Sequence, residues 1–174
     1  MKPVIAITMG DPAGIGPEVA LKAFSSKRVK RAARPVILGD LALLTRLSEK
    51  LGLKFPPASN VINLSTLDLK KLGPGRPTIE SSKAMVSYIE EAVYMAVNGY
   101  ADAMVTGPIN KESARLAGFK FPGHTEFIAH LTGAKDFSMM LGGDTIKVVL
   151  VTIHEPIKKV PGLITLKNVL ETIK

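Results

Sequence analysis

Short apolar runs alternate with longer stretches of helical periodicity along this chain, and that alternation sets the first expectation. Val4 to Met9 is apolar and rich in β-branched residues, with a glycine turn behind it, the pattern of a buried strand. Pro17 suits a first helical turn, and residues 18–24, EVALKAF, continue as helix. Residues 35–39, PVILG, read as a second buried strand, after which Asp40 can cap a helix that stops at Gly52. Residues 61–64, VINL, form a weaker strand, and residues 72–77, LGPGRP, a loop.

From Thr78 onward, apolar residues at Met85, Ile89, Val93 and Ala96 have helical spacing, and Gly99 ends the helix. DAMVTGP, at 102–108, is a strand running into a turn, and NKESARLAG is a short helix closed by Gly118. A further helix is expected over His124 to Leu131. FSMMLG and TIKVVLVTI read as strands separated by Gly-Gly-Asp, a hairpin signal, and LKNVLETIK begins a last helix. Strands alternating with helices argue for an α/β fold with helices on both faces of the sheet. The hairpin is expected to make that sheet mixed. With no helix C-cap and no final turn before Lys174, the fold is expected to be incomplete, one part of a larger molecule.

Composition narrows the classes. The chain has 174 residues, 46% of them hydrophobic, enough for a core of its own. No apolar run approaches the roughly 20 residues that span a bilayer, and no signal-peptide cleavage pattern follows the first strand, so a cytoplasmic protein without a membrane partner is expected. Zero cysteines exclude disulfides and thiolate chemistry. The net charge of +8 raises the question of nucleic acid. Basic residues are scattered, apart from KRVKRAAR at 27–34 and the pair Lys158 and Lys159, and aromatics are only 5%. Without a stacking platform, nucleic acid is not the expected partner; small anionic substrates suit the charge as well.

Four loops carry candidate chemistry. GDPAGIGPE, at 10–18, follows a strand and opens a helix, where α/β proteins bind ligands. Gly14 and Gly16 begin a dinucleotide fingerprint, but Val19 stands at the third glycine position and no Walker lysine follows. Its plainer reading is a tight turn. TGPINK, at 106–111, supplies Thr106, Asn110 and Lys111 near a helix start that favours anions; the plainer reading is Asn110 as an N-cap and Lys111 in solvent. FPGHTE, at 121–126, places His124 and Thr125 at a helix N-terminus, a clamp for phosphate or carboxylate, unless Thr125 is merely a cap and His124 a packed surface residue. VTIHEPIKK, at 151–159, delivers His154 at a strand exit as a metal-ligand or acid–base candidate. One histidine does not complete a metal site. His130 is read as structural.

In this order, ITMGDPAGIGPEVALKA, VTGPINKESARLAGFKFPGHTEFIAHLTG and VVLVTIHEPIKKV resemble the 4-hydroxythreonine-4-phosphate dehydrogenase family of pyridoxal phosphate biosynthesis, over essentially the whole chain. The resemblance implies an isocitrate/isopropylmalate-dehydrogenase-like α/β fold and a homodimer whose active site lies between two domains and draws on both subunits. It implies oxidation of a phosphorylated hydroxy amino acid by NAD or NADP with a bound divalent metal (Zn, Mg, Mn or Co), followed by loss of carbon dioxide. Carried onto this sequence, it makes His124 and Thr125 substrate ligands and His154 one of three metal-ligating histidines. Glu126, Asp11 and Gly14 then support loops, and Lys111 is the candidate for proton transfer. Members are about twice as long, so residues 1–174 are expected to be the N-terminal portion of a two-domain dehydrogenase, inactive alone. A sister activity on phosphothreonate or phosphoerythronate-type acids, and a non-catalytic anion-binding or dimerisation fragment, are the alternatives.

Overall fold

The computed structural model describes residues 1–173, in two compact units, Met1–Thr132 and a second that begins at Gly133. In the first unit four strands, β1 (Val4–Thr8), β2 (Arg34–Asp40), β3 (Val61–Ser65) and β4 (Ala103–Thr106), form a sheet in the order β3-β2-β1-β4, every pair parallel. Its helices are α1 (Gly16–Ser25), α2 (Lys27–Ala32), α3 (Leu41–Lys50), α4 (Ile79–Val97), α5 (Lys111–Leu116) and α6 (His124–Thr132).

Parallel pairing needs crossovers, and their right-handedness assigns the layers. The steps from β1 to β2 and from β2 to β3 run one way across the sheet, which puts α1 and α3 on one face, where they touch. The step from β3 to β4 runs back past two strands, placing α4 on the other face, packed on all four strands. Helices on both faces are therefore as expected.

The core follows the same logic. Ala6, Ile37 and Leu38 are fully buried between Ala20, Leu21 and Phe24 of α1 and Ala84, Tyr88, Ala92 and Met95 of α4. The stripe legible in the sequence, Met85, Ile89 and Val93, is buried too, but against Ala114, Phe119 and Phe127 in a second cluster that seats α5 and α6. α4 thus carries two apolar stripes at helical spacing, one for the sheet and one for the helices outside it. Thr78 and Ser81 close a reciprocal capping box at its start.

Two expectations need correction. The hairpin forms, as β5 (Met140–Gly142) and β6 (Lys147–Val149), but it stands as a two-stranded antiparallel sheet of its own, and the main sheet is wholly parallel. A hairpin completes its pairing locally and needs no third strand. Its strands have three residues each, far shorter than the apolar runs suggest, because β-branched sequence becomes strand only where a partner takes its backbone hydrogen bonds. The basic run at 27–34, for which the sequence pattern assigned no element, includes α2, whose lysines, arginines and alanine are good helix formers. The second unit continues with a 3-10 turn at Ile157–Lys159, α7 (Val160–Leu163) and α8 (Leu166–Ile173).

Asp40 caps α3 as expected, and more. Fully buried, it accepts from Leu43 N at 2.9 Å through Oδ1, and from the Ser65 hydroxyl at 2.9 Å and Leu67 N at 2.8 Å through Oδ2. Tyr88 lies 2.6 Å from the same hydroxyl, and burial pushes its phenol well above the usual range. Asp40→Ala strands three donors at once, so a stability loss of about 3 kcal/mol is expected. Urea unfolding reads it as a lower midpoint with an unchanged slope; a loss below about 0.5 kcal/mol, within the range of neutral surface substitutions, would show the carboxylate to be dispensable.

Candidate active site

In a doubly wound sheet the binding crevice opens at the carboxyl ends of the strands, where the strand order reverses. Here that point lies between β1 and β4, and the loops that leave these strands are 9–15 and 107–110. They are clasped backbone to backbone. Gly107 N donates to the Thr8 carbonyl at 3.0 Å and to Thr8 Oγ1 at 3.1 Å, and Asp11 N donates to the Pro108 carbonyl at 2.9 Å. A Cβ on Gly107 would stand 2.8 Å from Gly10 N, Met9 C and Thr8 O. A Cβ on Gly10, which sits at φ 71°, would collide with the Pro108 carbonyl. Only glycine permits this approach.

The first loop's other residues serve its shape. Asp11 is buried, and its Oδ1 accepts from Ala13 N at 2.8 Å; burial raises its pKa, opposed by that N–H. Gly14 is exposed and closes the turn by donating to the Asp11 carbonyl at 2.9 Å. Gly16 lies hard against the Met9 carbonyl, leaving no room for a side chain. In the second loop Asn110 takes the plainer of its two readings, capping α5 by accepting from Ser113 N at 3.1 Å.

Lys111 does not simply point into solvent. Its Nζ lies 3.7 Å from the position a Cβ on Gly123 would occupy, and Glu126 Oε2 lies 3.5 Å from that same point. The lysine therefore reaches from α5 to the first turn of α6, whose N-terminus also favours the Glu126 carboxylate. His124 is the first residue of α6 and Thr125 the second, so Thr125 is not its cap. His124 is half-buried, and its Nε2 is buried without a hydrogen-bond partner. Burial lowers its pKa; the Gly107 carbonyl opposes the shift and the Lys111 charge adds to it. Its buried Nε2 is the polar atom here that lacks a partner.

An aromatic seat fixes α6. Phe119 meets Phe127 edge-on at 5.0 Å, and Phe121 packs 5.0 Å from Phe127 and from His130. His130 is thus a packing residue, as expected. Three of the four loops, at 10–18, 106–111 and 121–126, lie in the first unit, linked by the Gly10–Gly107 clasp, the Gly107–His124 contact and the reach of Lys111.

His154 belongs to the second unit. It is exposed and at φ 57°, and it does not stand at a strand exit, since β6 stops at Val149 for want of a partner strand. Among the described residues no three His, Asp or Glu side chains gather to hold a metal ion. The sequence reading missed Thr8 and the clasp. The available signals were a threonine closing an apolar strand, and two strand-end glycines, Gly10 and Gly107, each followed closely by proline.

A parallel sheet with this reversal point, and helices on both of its faces, define a doubly wound α/β protein. More specifically, the chain belongs to the family described as pyridoxal phosphate biosynthetic protein PdxA, whose pattern matches residues 31–174. It is 40% identical to a 4-hydroxythreonine-4-phosphate dehydrogenase of Desulfosudis oleivorans, over 99% of this chain and 55% of that protein. It is 38% identical to a D-threonate 4-phosphate dehydrogenase of Cupriavidus necator, over 93% of this chain and 54% of that one. The crystal structure of a 4-hydroxythreonine-4-phosphate dehydrogenase from Burkholderia phymatum superposes with a TM-score of 0.89 at 36% identity, over 99% of this chain and 56% of that one. The chain spans about half the length of the relatives it matches. No helix is long and apolar enough to cross a membrane among the described residues.

Two measurements probe this geometry. Gly107→Ala meets backbone on every side, so a loss of at least about 2 kcal/mol is expected from chemical denaturation; wild-type stability would mean the loops part freely. Because burial lowers the His124 pKa, the unfolded chain takes up that proton first as pH falls below about 6.5. Stability should therefore fall with pH through this window, and His124→Asn should flatten the slope. An unchanged slope would place the titration elsewhere.

Proposed function

We propose that this chain is the N-terminal portion of a dehydrogenase that oxidises 4-phosphohydroxy-L-threonine. The product is a β-keto acid that decarboxylates to 3-amino-2-oxopropyl phosphate, on the way to pyridoxal 5′-phosphate. The observation that carries this reading is the unpartnered, buried Nε2 of His124 at the start of α6, and the names of the relatives support it.

The first N–H groups of α6 have no partners within the helix and favour an anion. His124 and Thr125 add an imidazole and a hydroxyl, so the substrate's phosphate is held at the α6 N-terminus. An anion there opposes the burial that keeps His124 neutral. Lys111, whose reach towards Gly123 supports this reading, moves the proton of the substrate hydroxyl or balances the charge left on that oxygen. Asp11 and Gly14 keep the first loop in shape beside this space.

Hydride and cation chemistry would be supplied by groups bound by the whole protein, NAD or NADP as hydride acceptor and a divalent cation as Lewis acid towards the substrate's oxygens. His154 would supply one ligand to that cation. The assembly is a homodimer with a shared site, and the 174-residue chain alone turns over no substrate. A second reading, oxidation of D-threonate 4-phosphate, is favoured by the relatives that carry that name.

Steady-state assays of the complete gene product with both substrates separate the readings, and activity on neither contradicts both. His124→Ala should raise KM about 10- to 100-fold, the effect of losing one hydrogen bond to a charged group. Lys111→Met should lower kcat at nearly unchanged KM. His154→Ala should lose bound metal in equilibrium dialysis while retaining binding of the phosphorylated substrate. Retained metal would remove His154 from the site.

A further inference from the structure

A cavity of about 900 Å³ in the first unit is not at the loops just described. It opens at the opposite, amino-terminal ends of the strands, where Val4 begins β1, Arg34 begins β2 and Asp102 precedes β4. Lys2, Lys30, Arg34 and Lys54 line it, against the single carboxylate of Asp102. That carboxylate is already engaged, accepting from Val4 N at 2.7 Å. Ion pairs among the described residues are confined to Lys22–Glu18, Lys71–Asp68 and Lys167–Glu171, so none of the four cations is neutralised. Lys2 and Lys54, far apart in sequence, here join two cations of the 27–34 basic run.

The walls are apolar as well as basic. Phe24 and Phe55 line the cavity together with three prolines. Lys30 sits over the Phe24 ring with its Nζ 4.7 Å from the centroid, while Lys2 Nζ donates to the Lys30 carbonyl at 2.6 Å. Two of the cations are thereby held in place before any ligand arrives, which lowers the ordering cost of binding. Few polar groups converging in an apolar concavity of this size match a small-molecule site. A nucleic-acid track would instead run as an extended stripe with stacking platforms.

We propose that this groove is an accessory binding site for a small phosphorylated molecule with a flat apolar body. The phosphate meets Lys2, Lys30, Arg34 and Lys54, and the body lies against Phe24 and Phe55. The site is independent of His124, Thr125 and Lys111, and so stands or falls separately from the catalytic reading.

The probe is pyridoxine 5′-phosphate, a ring phosphate without the aldehyde that would condense with lysines. Isothermal titration of the complete gene product should show binding of this compound, at least tenfold weaker binding of inorganic phosphate, and no binding of pyridoxine. Lys30→Gln/Arg34→Gln should weaken the ring phosphate at least tenfold while circular dichroism and dehydrogenase activity stay at wild-type level; both side chains are exposed and no part of the strand-end site. His124→Ala should leave this binding unchanged. The proposal is overturned if the ring phosphate does not bind, if the double substitution leaves its affinity intact, or if His124→Ala abolishes it. A short DNA duplex that binds more tightly than the ring phosphate and loses affinity in the double variant would likewise overturn it, in favour of a nucleic-acid surface.

Discussion

Two backbones pass at β1 and β4 with no side chain between them, and the rest of the site depends on that approach. Gly107 is within bonding reach of Thr8, and Asp11 of Pro108. Any Cβ at Gly10 or Gly107 would strike main chain rather than a side chain that could swing away. Because the clasp lies where the strand order reverses, it sets the width of the crevice and the position of the Gly107 carbonyl that faces His124. The parallel sheet supplies the rigid strands, and the glycines let their ends come together.

Energetically the first unit is arranged in shells around α4. One side of this helix closes the sheet, with Tyr88 tied into the buried network of Asp40 and Ser65. The other side carries the phenylalanine cluster that orients α6. His124 is held by elements on both sides of this helix: Gly107 follows from the sheet, and the α6 N-terminus follows from Phe127. Half-burial then disfavours the charged imidazole, and the ring keeps a buried, unpartnered nitrogen. Such an atom is expensive in a folded protein unless something binds it.

Much of this was legible in the sequence, for identifiable reasons. The strands at Val4 and Pro35 are largely buried, so their composition alone marks them. The helix stops at Gly52, Gly99 and Gly118 stand where the glycines adopt positive φ. The hairpin signal was sound, but its effect on the main sheet was not, because local turn chemistry does not say which sheet a strand joins. His154 shows the limit most clearly: the apolar run before it promised a strand exit, and strand exists only where pairing does. The Gly10–Gly107 clasp joins residues far apart in sequence, which periodicity cannot register. Lys111 reaching towards Gly123 likewise depends on the angle between α5 and α6, which no local pattern encodes.

Whether the carboxyl-end crevice holds phosphate at the start of α6 can be decided directly. A crystal structure of the complete gene product soaked with the phosphorylated hydroxy amino acid should place a phosphate oxygen within hydrogen-bond distance of His124 Nε2 and of Thr125 Oγ1, with Lys111 Nζ turned towards the substrate. Phosphate density seated elsewhere, with His124 Nε2 still without a partner, would contradict the account.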